Sequence, residues 1–517
     1  MERNHYLLRK LINILKTYLN YMSMDWKKYL SSVRMRKSSI NIDLRKEHND
    51  YRTDIESDFG RVIFSSACRR LHDKTQVFPL TTDDNIHSRL THSMEVMNIG
   101  QSFVFTLSES EDFKRHTNLD EVTILRDLAA ALKVACLVHD IGNPPFGHFG
   151  EDSLQCYFQE LFKAPPSWMS KECQEELKNL GKEDSVVGLD YTQFDGNAEG
   201  LRVLTKLQFI ETLDGLNLTC ASLGSFMKYP NIAFKDKSND SYIGMHKHGV
   251  LNTERDVLDK VINACSLPVV NDVVVRHPLS FLMEAADSIC YLTMDIEDGL
   301  KKQLLTLDKM AKCIENFRKE KGIDFDEKAA NLYNDISELA NENDINDRKR
   351  IMSLRTSIMR YLIDLALTNF INNIARIETG EYKNELIEDD SNGIAKALGK
   401  VCKQFILNSR DVISLEITGK SVIYGILDAY IKMFFSDDKK LRNRAKRLIS
   451  KTIFLTTLQE HLERTGGKDM ADNAYDKFDV KDFSAEEKLR ILRDYVSCMT
   501  DKFALNHYRK LSGQQIY

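Results

Sequence analysis

A histidine and an aspartate stand side by side in ACLVHDIGNPPFGHFGED, as His139 and Asp140. Neighbours on a helix are about 100° apart, so at a helix end such a pair can grip one ion from adjoining directions. Gly142 and the Pro144-Pro145 pair stop that helix and leave both side chains at its end. His92, on a preceding helical segment, and Asp287, on a later one, offer two more donors of the same kinds. Imidazole nitrogen with carboxylate oxygen suits Mg, Mn or another transition metal. Two histidines and two aspartates leave room for water and a phosphate oxygen, as a hydrolytic site requires. On spacing alone, the His-Asp pair also fits a helix-end Asp beside a core His bonded to backbone.

Other residues share faces with this quartet. Asp287, Tyr291 and Asp295 follow one another at i, i+4 and i+8 and form one stripe. If Asp287 binds metal, Tyr291 and Asp295 line the adjoining cavity. There a tyrosine can stack on a sugar, and an aspartate can accept from its hydroxyl. Arg89 lies three residues before His92, on the same face, and can fork onto a phosphate oxygen. His246 and His248 in GMHKHG have H-x-H spacing but no third ligand nearby, which reads as a mobile surface loop. DDKKLRNRAKRLISK (437–451) is a basic helical run, in the first instance a solvated face and alternatively a surface for polyphosphate, DNA or a neighbouring subunit.

The elements that position these residues read as helices. All eight prolines lie between Pro79 and Pro278, so the remainder of the chain is free to be helical. Ile351, Leu354, Ile358, Tyr361 and Leu362 recur at helical spacing, as do Ile423, Ile426, Leu427, Tyr430 and Phe434. Helices are predicted over 124–140, 279–300 and 88–106. The best strand is 269–277, and it is short. The stretch 163–196, with Pro165, Pro166, Gly181, Gly188 and Gly196, reads as a long connection holding one short charged helix. The fold class that follows is all-α.

The chain of 517 residues can bury a large core, and its 42% apolar and 29% charged composition is that of a globular protein. A net charge of -5 excludes a general nucleic-acid coat. The ten cysteines include no C-x-x-C pair and suit a reducing cytoplasm. No apolar run approaches the roughly 18–20 residues that span a bilayer. At the N-terminus, Lys16 interrupts the apolar run 11–15, and no small-residue cleavage site follows. That segment reads as an amphipathic helix, or as an extension upstream of a start at Met22 or Met24.

Six stretches carry a resemblance: 65–80 (SSACRRLHDKTQVFPL), 88–96 (SRLTHSMEV), 135–151, 194–204 (FDGNAEGLRVL), 215–230 (GLNLTCASLGSFMKYP) and 276–299. In this order they resemble the HD-domain phosphohydrolases, and within them the dNTP triphosphohydrolases typified by bacterial dGTPase. The resemblance covers roughly residues 50–300. It implies an N-terminal extension (1–45), an HD-type helical core (46–300) and further C-terminal helices packing on that core (301–517). It implies metal ligands His92, His139, Asp140 and Asp287, and a catalytic dyad of His148 backed by Glu151. Those two stand three apart, so the carboxylate can orient the imidazole and raise its pKa. The histidine would then protonate the departing 5′ oxygen or handle the attacking water's proton.

The resemblance further assigns Tyr291 and Asp295 to deoxyribose and Gln76 to its 3′ hydroxyl. A close-packed tyrosine would exclude a 2′ hydroxyl. Asn197, Lys228 and Tyr229 fall near base and phosphates. The implied activity is metal-dependent hydrolysis of dNTPs, dGTP foremost, to deoxynucleoside and tripolyphosphate. Another HD phosphohydrolase activity, or a nucleotide-sensing or nucleic-acid-binding protein with a silent site, are the alternatives. A homo-oligomer is expected, with single-stranded DNA or a nucleotide as a possible effector, and no membrane partner. The chain departs from the family's pattern at His87-Ser88, Phe149 and Glu199. Those departures bear on phosphate affinity, the pocket wall and base preference rather than on the quartet.

Overall fold

In a computed structural model, residues 25–35, 50–80, 85–208, 215–232, 242–341, 347–466 and 474–514 are described. The amphipathic reading of the N-terminal segment lies outside them. Residues 25–35, within the expected extension, are built into the fold. Trp26 and Tyr29 are buried, and the Trp26 indole donates to Glu378 at 2.6 Å.

Among the described residues the chain is helical apart from one two-stranded hairpin. Helix α1 spans Asp54–Ile63 and starts on a Thr53–Glu56 capping box. Helix α2, Arg89–Glu109, starts on Ser88 and carries His92 in its first turn. Helix α3, Ala129–Val138, is apolar on nearly every side, as a helix enclosed by others must be. Its approach to α2 is close, since a methyl group added at Gly100 would lie 2.8 Å from the Cys136 sulfur. The helix expected over 124–140 starts earlier, at Glu121, and a wide π-type turn over Ile124–Leu128 leads into α3.

Helix α4, Gly147–Lys163, follows a turn in which Phe146 and Gly147 both take left-handed backbone, at φ 67° and 60°. Helix α5, Gly196–Thr205, is capped by Asp195. The connection between α4 and α5 holds two helices, Lys171–Leu180 and Val186–Thr192, where one was expected. The second was hidden because Val186, Val187 and Gly188 are weak helix formers. Burial of Tyr191 against the Phe158 and Phe162 rings overrides that propensity.

The expected strand over 269–277 is a hairpin of β1 (Val269–Val270) and β2 (Val273–Val274). Asn271 and Asp272, at φ 50° and 64°, form the tight turn that matches strand twist. Helix α6, Pro278–Lys301, begins on proline at its first position and is buried along most of its length.

Helix α7, Asp347–Thr379, packs on α6 and α2, and α8, Arg410–Phe434, packs on α4. Leu354, Ile358 and Leu362 of α7 are buried, as are Ile423, Ile426, Leu427, Tyr430 and Phe434 of α8. The basic run forms a helix over Lys439–Leu448. Lys439, Lys440, Arg444 and Arg447 face solvent, while Arg442 forks onto Asp479. Helices α9 (Ala485–Ser497) and α10 (Asp501–Leu511) close the described chain. One continuous apolar cluster runs from Trp26 to Ala504. No described helix is long and apolar enough to cross a membrane.

A close backbone contact at the centre joins the turn after α3 to α5. A methyl group added at Gly142 would lie 2.1 Å from the Gly200 amide nitrogen and 2.2 Å from the Gly196 carbonyl oxygen. Gly142→Ala is therefore expected to destabilise the protein by about 1–3 kcal/mol or more, read as a lower thermal midpoint. Gly399→Ala, with open space around it, is the control and should be neutral or slightly stabilising. Equal midpoints for the two variants would contradict the packing argument.

Candidate metal centre

His139 and Asp140 lie in the turn that follows α3, where Gly142 packs on α5. His139 Nδ1 donates to the Cys136 carbonyl at 2.8 Å, so the neutral imidazole keeps its lone pair on Nε2. That Nε2 lies 3.2 Å from His92 Nε2 and 3.3 Å from Asp287 Oδ1. His92 Nε2 lies 3.1 Å from the same carboxylate oxygen, and its Nδ1 faces the Met294 sulfur at 3.3 Å. Donor atoms of His92, His139 and Asp140 all fall within 4.8 Å of one another. Asp287, from the middle of α6, touches both histidines. Among the described residues this is the only such grouping.

Cationic and amide side chains hold oxygens of both carboxylates. Arg89 donates to Asp140 Oδ2 at 2.5 Å and Asn143 to Oδ1 at 2.6 Å, while Lys228 donates to Asp287 Oδ2 at 2.6 Å. Burial pushes the Asp140 carboxyl up, but Arg89 and His139 outweigh it and hold the group well below the usual range. Asp287 is depressed in the same way, with Lys228 and His139 overcoming burial. Burial keeps His92 below its ordinary pKa, whereas Asp287 and Asp140 overcome burial and raise His139. Two ionised carboxylates and two inward nitrogens fit a divalent cation of mixed N/O preference. A proton on His139 competes with such a cation, so affinity falls as the pH is lowered.

The second cluster stands on α4. His148 Nδ1 meets Glu151 Oε2 at 2.9 Å, and Glu151 Oε1 accepts the Gly196 amide at 2.7 Å. Glu151 is buried while the His148 side chain is 74% exposed, so its Nε2 is open to a ligand. The Glu151 charge, then its hydrogen bond, raise the His148 pKa against burial and the nearby Lys247 and Arg89. Only glycine fits at 196, since a methyl group there would lie 2.0 Å from Asn143 Oδ1. One small contact thus ties the residue that steadies Asp140 to the residue that steadies Glu151.

Along α6, Tyr291 is half-buried and Asp295 is 1% exposed. Both Asp295 carboxylate oxygens and Gln76 Oε1 are buried with no hydrogen-bond partner at standard geometry among the described residues. Burial, then Asp298, push the Asp295 carboxyl well above the usual range. An unpaired buried polar atom costs about 1–3 kcal/mol, and the Tyr291 hydroxyl, one turn away, is the hydrogen-bond partner that acts on Asp295. Asp295 and Gln76 are two of the residues expected to read the sugar.

The remaining expected residues are already engaged. Besides its bond to Asp140, Arg89 reaches the loop before His148, its NH2 lying 2.7 Å from where a Gly147 methyl would stand. The Asn197 side chain bonds Asp195 Oδ1, its own cap, at 2.7 Å. Tyr229 is half-buried under the Arg276 guanidinium, 5.3 Å from its ring centre.

The departures from the family's pattern also have structural places. His87 meets Asp298 Oδ1 at 3.0 Å. Burial lowers its pKa, but hydrogen bonds to Asp298 and Glu95 raise it to about 9. Glu199 faces away from the cluster and accepts the Ser497 hydroxyl at 2.9 Å. Burial, then Asp494, lift its pKa to about 7. Phe149 is half-buried at the core's edge.

The GMHKHG segment is no free surface loop, which corrects the expectation for His246 and His248. His248 is 1% exposed and meets Asp190 Oδ1 at 3.1 Å. Asn231 staples the segment by donating to the Gly244 and Lys247 carbonyls, and Gly249 packs on the Tyr229 carbonyl. The segment delivers Lys247, whose Nζ lies 3.5 Å from Asp195 Oδ2 and whose charge acts on Glu151. Reading the sequence missed this lysine. The flanking glycines, Gly244 and Gly249, were the available signal for close backbone packing.

Comparison with known proteins finds relatives along nearly the whole chain. It is 30% identical to the deoxyguanosinetriphosphate triphosphohydrolase-like protein of Listeria monocytogenes, over 95% of this chain and 100% of that protein. It is 31% identical to the deoxyguanosinetriphosphate triphosphohydrolase of Enterobacter sp., over 90% of this chain and 95% of that one. The Klebsiella pneumoniae enzyme of the same name is 30% identical, over 88% and 93%. No family model matches the chain.

The Glu151 charge raises His148, so Glu151→Gln should lower the His148 titration midpoint, followed by NMR of histidine-labelled protein. A midpoint that stays in place would remove Glu151 as the cause of the shift.

Proposed function

The chain belongs to the deoxyguanosinetriphosphate triphosphohydrolase and triphosphohydrolase-like family, and from that premise we propose that it hydrolyses deoxynucleoside triphosphates, dGTP foremost, to deoxynucleoside and tripolyphosphate. The observation that carries the reading is the convergence of His92, His139, Asp140 and Asp287 beside an exposed histidine backed by a buried carboxylate. The proposal assigns the quartet as metal ligands and His148 with Glu151 as the catalytic pair. A divalent cation held there supplies Lewis acidity and neutralises phosphate charge.

The chain's own residues do the rest. Water attacks the α-phosphorus and the bond to the 5′ oxygen breaks. Nδ1–H of His148 donates to Glu151, so Nε2 carries a proton only in the imidazolium form, which the raised pKa favours and which can donate it to the departing oxygen. Arg89, beside Asp140, and Lys228, beside Asp287, place positive charge where phosphate oxygens would lie. Tyr291, Asp295 and Gln76 form the sugar wall, where the buried Gln76 Oε1 accepts from a deoxyribose hydroxyl and Asp295, coupled to Tyr291, hydrogen-bonds the sugar. Asn197, Tyr229 and the newly found Lys247 surround the base and phosphate end. In this reading 46–300 is the HD-type core, and 301–517 completes it as a C-terminal helical region. The protein acts as a homo-oligomer in the reducing cytoplasm, which its ten free thiols suit. Single-stranded DNA or a nucleotide is its candidate effector.

Incubation with each dNTP and NTP, with Mg or Mn, and identification of both products tests the proposal. Deoxynucleoside with tripolyphosphate is expected, with loss of turnover on chelation. Release of pyrophosphate or single phosphate would overturn the bond assignment, and binding without turnover would make the protein a sensor. His148→Ala should cut kcat by about 10²–10⁴-fold while nucleotide binding persists. Sedimentation as a monomer would contradict the oligomer.

A further inference from the structure

We propose that Asp501 is a positioning residue of this site, acting with Lys74: the turn between α9 and α10 clamps the loop carrying His148 to the segment carrying Gln76. The inference rests on the proposed function for its catalytic consequence, and on hydrogen bonds alone for the clamp.

Asp501 is the first residue of α10 and is 2% exposed. Its carboxylate accepts three hydrogen bonds that reach two distant segments. Oδ1 takes the Phe146 amide at 2.9 Å, across 355 residues of sequence. Oδ2 takes the Thr75 amide at 3.0 Å and the Thr75 hydroxyl at 2.6 Å. Phe146 is the left-handed residue two before His148, and a bulky side chain stays in that region only where its surroundings hold it. Thr75 immediately precedes Gln76.

Lys74 makes the matching link at the other end of both turns. It is 2% exposed, and its ammonium donates to the Asn143 carbonyl at 2.5 Å and the Ser497 carbonyl at 3.0 Å. Asn143 opens the loop that Phe146 closes, and its side chain holds Asp140. The loop is therefore tied at its start through Lys74 to Ser497 and near its end directly to Asp501. The Lys74 carbonyl accepts the Arg89 amide at 2.8 Å, and Thr75 pairs with Ser88, so the same segment also sets the start of α2. Lys502 and Asp73, 3.9 Å apart, repeat the connection at the surface.

The turn itself is firmly placed. In α9, Asp494 meets the Arg202 guanidinium of α5 at 2.8 Å, and the Ser497 hydroxyl bonds Glu199. α5 also supplies the Gly196 amide to Glu151. Relative placement of His148, Asp140 and Gln76 thus runs through one carboxylate and one ammonium. Both are buried.

The two oxygens serve different functions, which gives the test its resolution. Asp501→Ala should lower kcat by about a hundredfold, the cost of a misplacement near 1 Å. Asp501→Asn, which keeps one accepting oxygen, should fall between that variant and wild type. Thr75→Val leaves the Phe146 bond intact, so it should raise KM several-fold, about threefold or more, with kcat nearly unchanged. Hydrogen–deuterium exchange on the full-length protein reads the clamp without any turnover. In Asp501→Ala, peptides covering 141–149 and 73–78 should exchange faster while those covering 485–497 keep their protection. Unchanged exchange at 141–149 and 73–78, or equal loosening of 485–497, overturns the clamp. Loosened loops with wild-type kcat and KM overturn the positioning role. A wild-type protein that hydrolyses no dNTP would sink the proposed function, and the exchange result would still decide the clamp.

Discussion

Two carboxylates held ionised beside two imidazoles inside a helical core are costly to bury. In the interior they persist only because each has a charged or hydrogen-bonding group at its back. Arg89 and Asn143 stand behind Asp140, Lys228 behind Asp287 and the Cys136 carbonyl behind His139. Asp287 Oδ1 and the Nε2 atoms of both histidines still face one another, while Asp140 Oδ2, the oxygen that Arg89 takes, lies 3.6 Å from His139 Nε2. The helices that carry them are correspondingly rigid. α3 is enclosed on nearly all sides, and α2 approaches it at Gly100 with no room for a methyl group. Packing of this density turns a set of donors into a fixed geometry.

A second constraint operates where the chain leaves α3. Its helix must stop at once, so that His139 and Asp140 are not followed by another helical turn. It must then reverse within a few residues to present His148 from α4. Gly142 against α5, two prolines and two successive left-handed residues accomplish this. Its own backbone bonds, Asn143 to Asp140 and Gly147 to Pro144, are supplemented from outside by Asp501 and Lys74 across the loop. The C-terminal helices are thus a wall of the site as much as a part of the core. Their docking through Arg202 and Asp494, both fully buried, suits the known use of buried ion pairs in specifying one arrangement rather than adding stability.

The departures from the family's pattern follow the same logic. His87 meets an acidic back wall, with Asp298 and Glu95 close enough to keep it protonated at neutral pH. Its charge partly offsets the acid cluster that lifts Asp295. Glu199 lies in the interface between α5 and α9, where Ser497 and Arg493 receive it. Both residues are thereby tied into the surrounding scaffold rather than to the His92–His139–Asp140 group.

Much of this was legible in the residues. Helical periodicity and proline placement located α2, α6, α7 and α8 because a buried stripe at 3.6-residue spacing is a local property. The stop after α3 was legible in Gly142 and two prolines, for the same reason. Weak local formers hid the second helix between α4 and α5, and a two-residue Asn-Asp turn folded an expected strand into a hairpin. His246 and His248 were misjudged because their burial depends on Asn231 and Asp190, and neither contact leaves a trace in local spacing. Sequence by itself determined which residues can ligate, donate protons and share a helix face, since residue chemistry and helical phase are inherent in the chain. Only the tertiary structure decided that Lys247 reaches Asp195 and that Asp501 holds Phe146 and Thr75. Those contacts join segments far apart in the chain, and their existence depends on how whole helices dock.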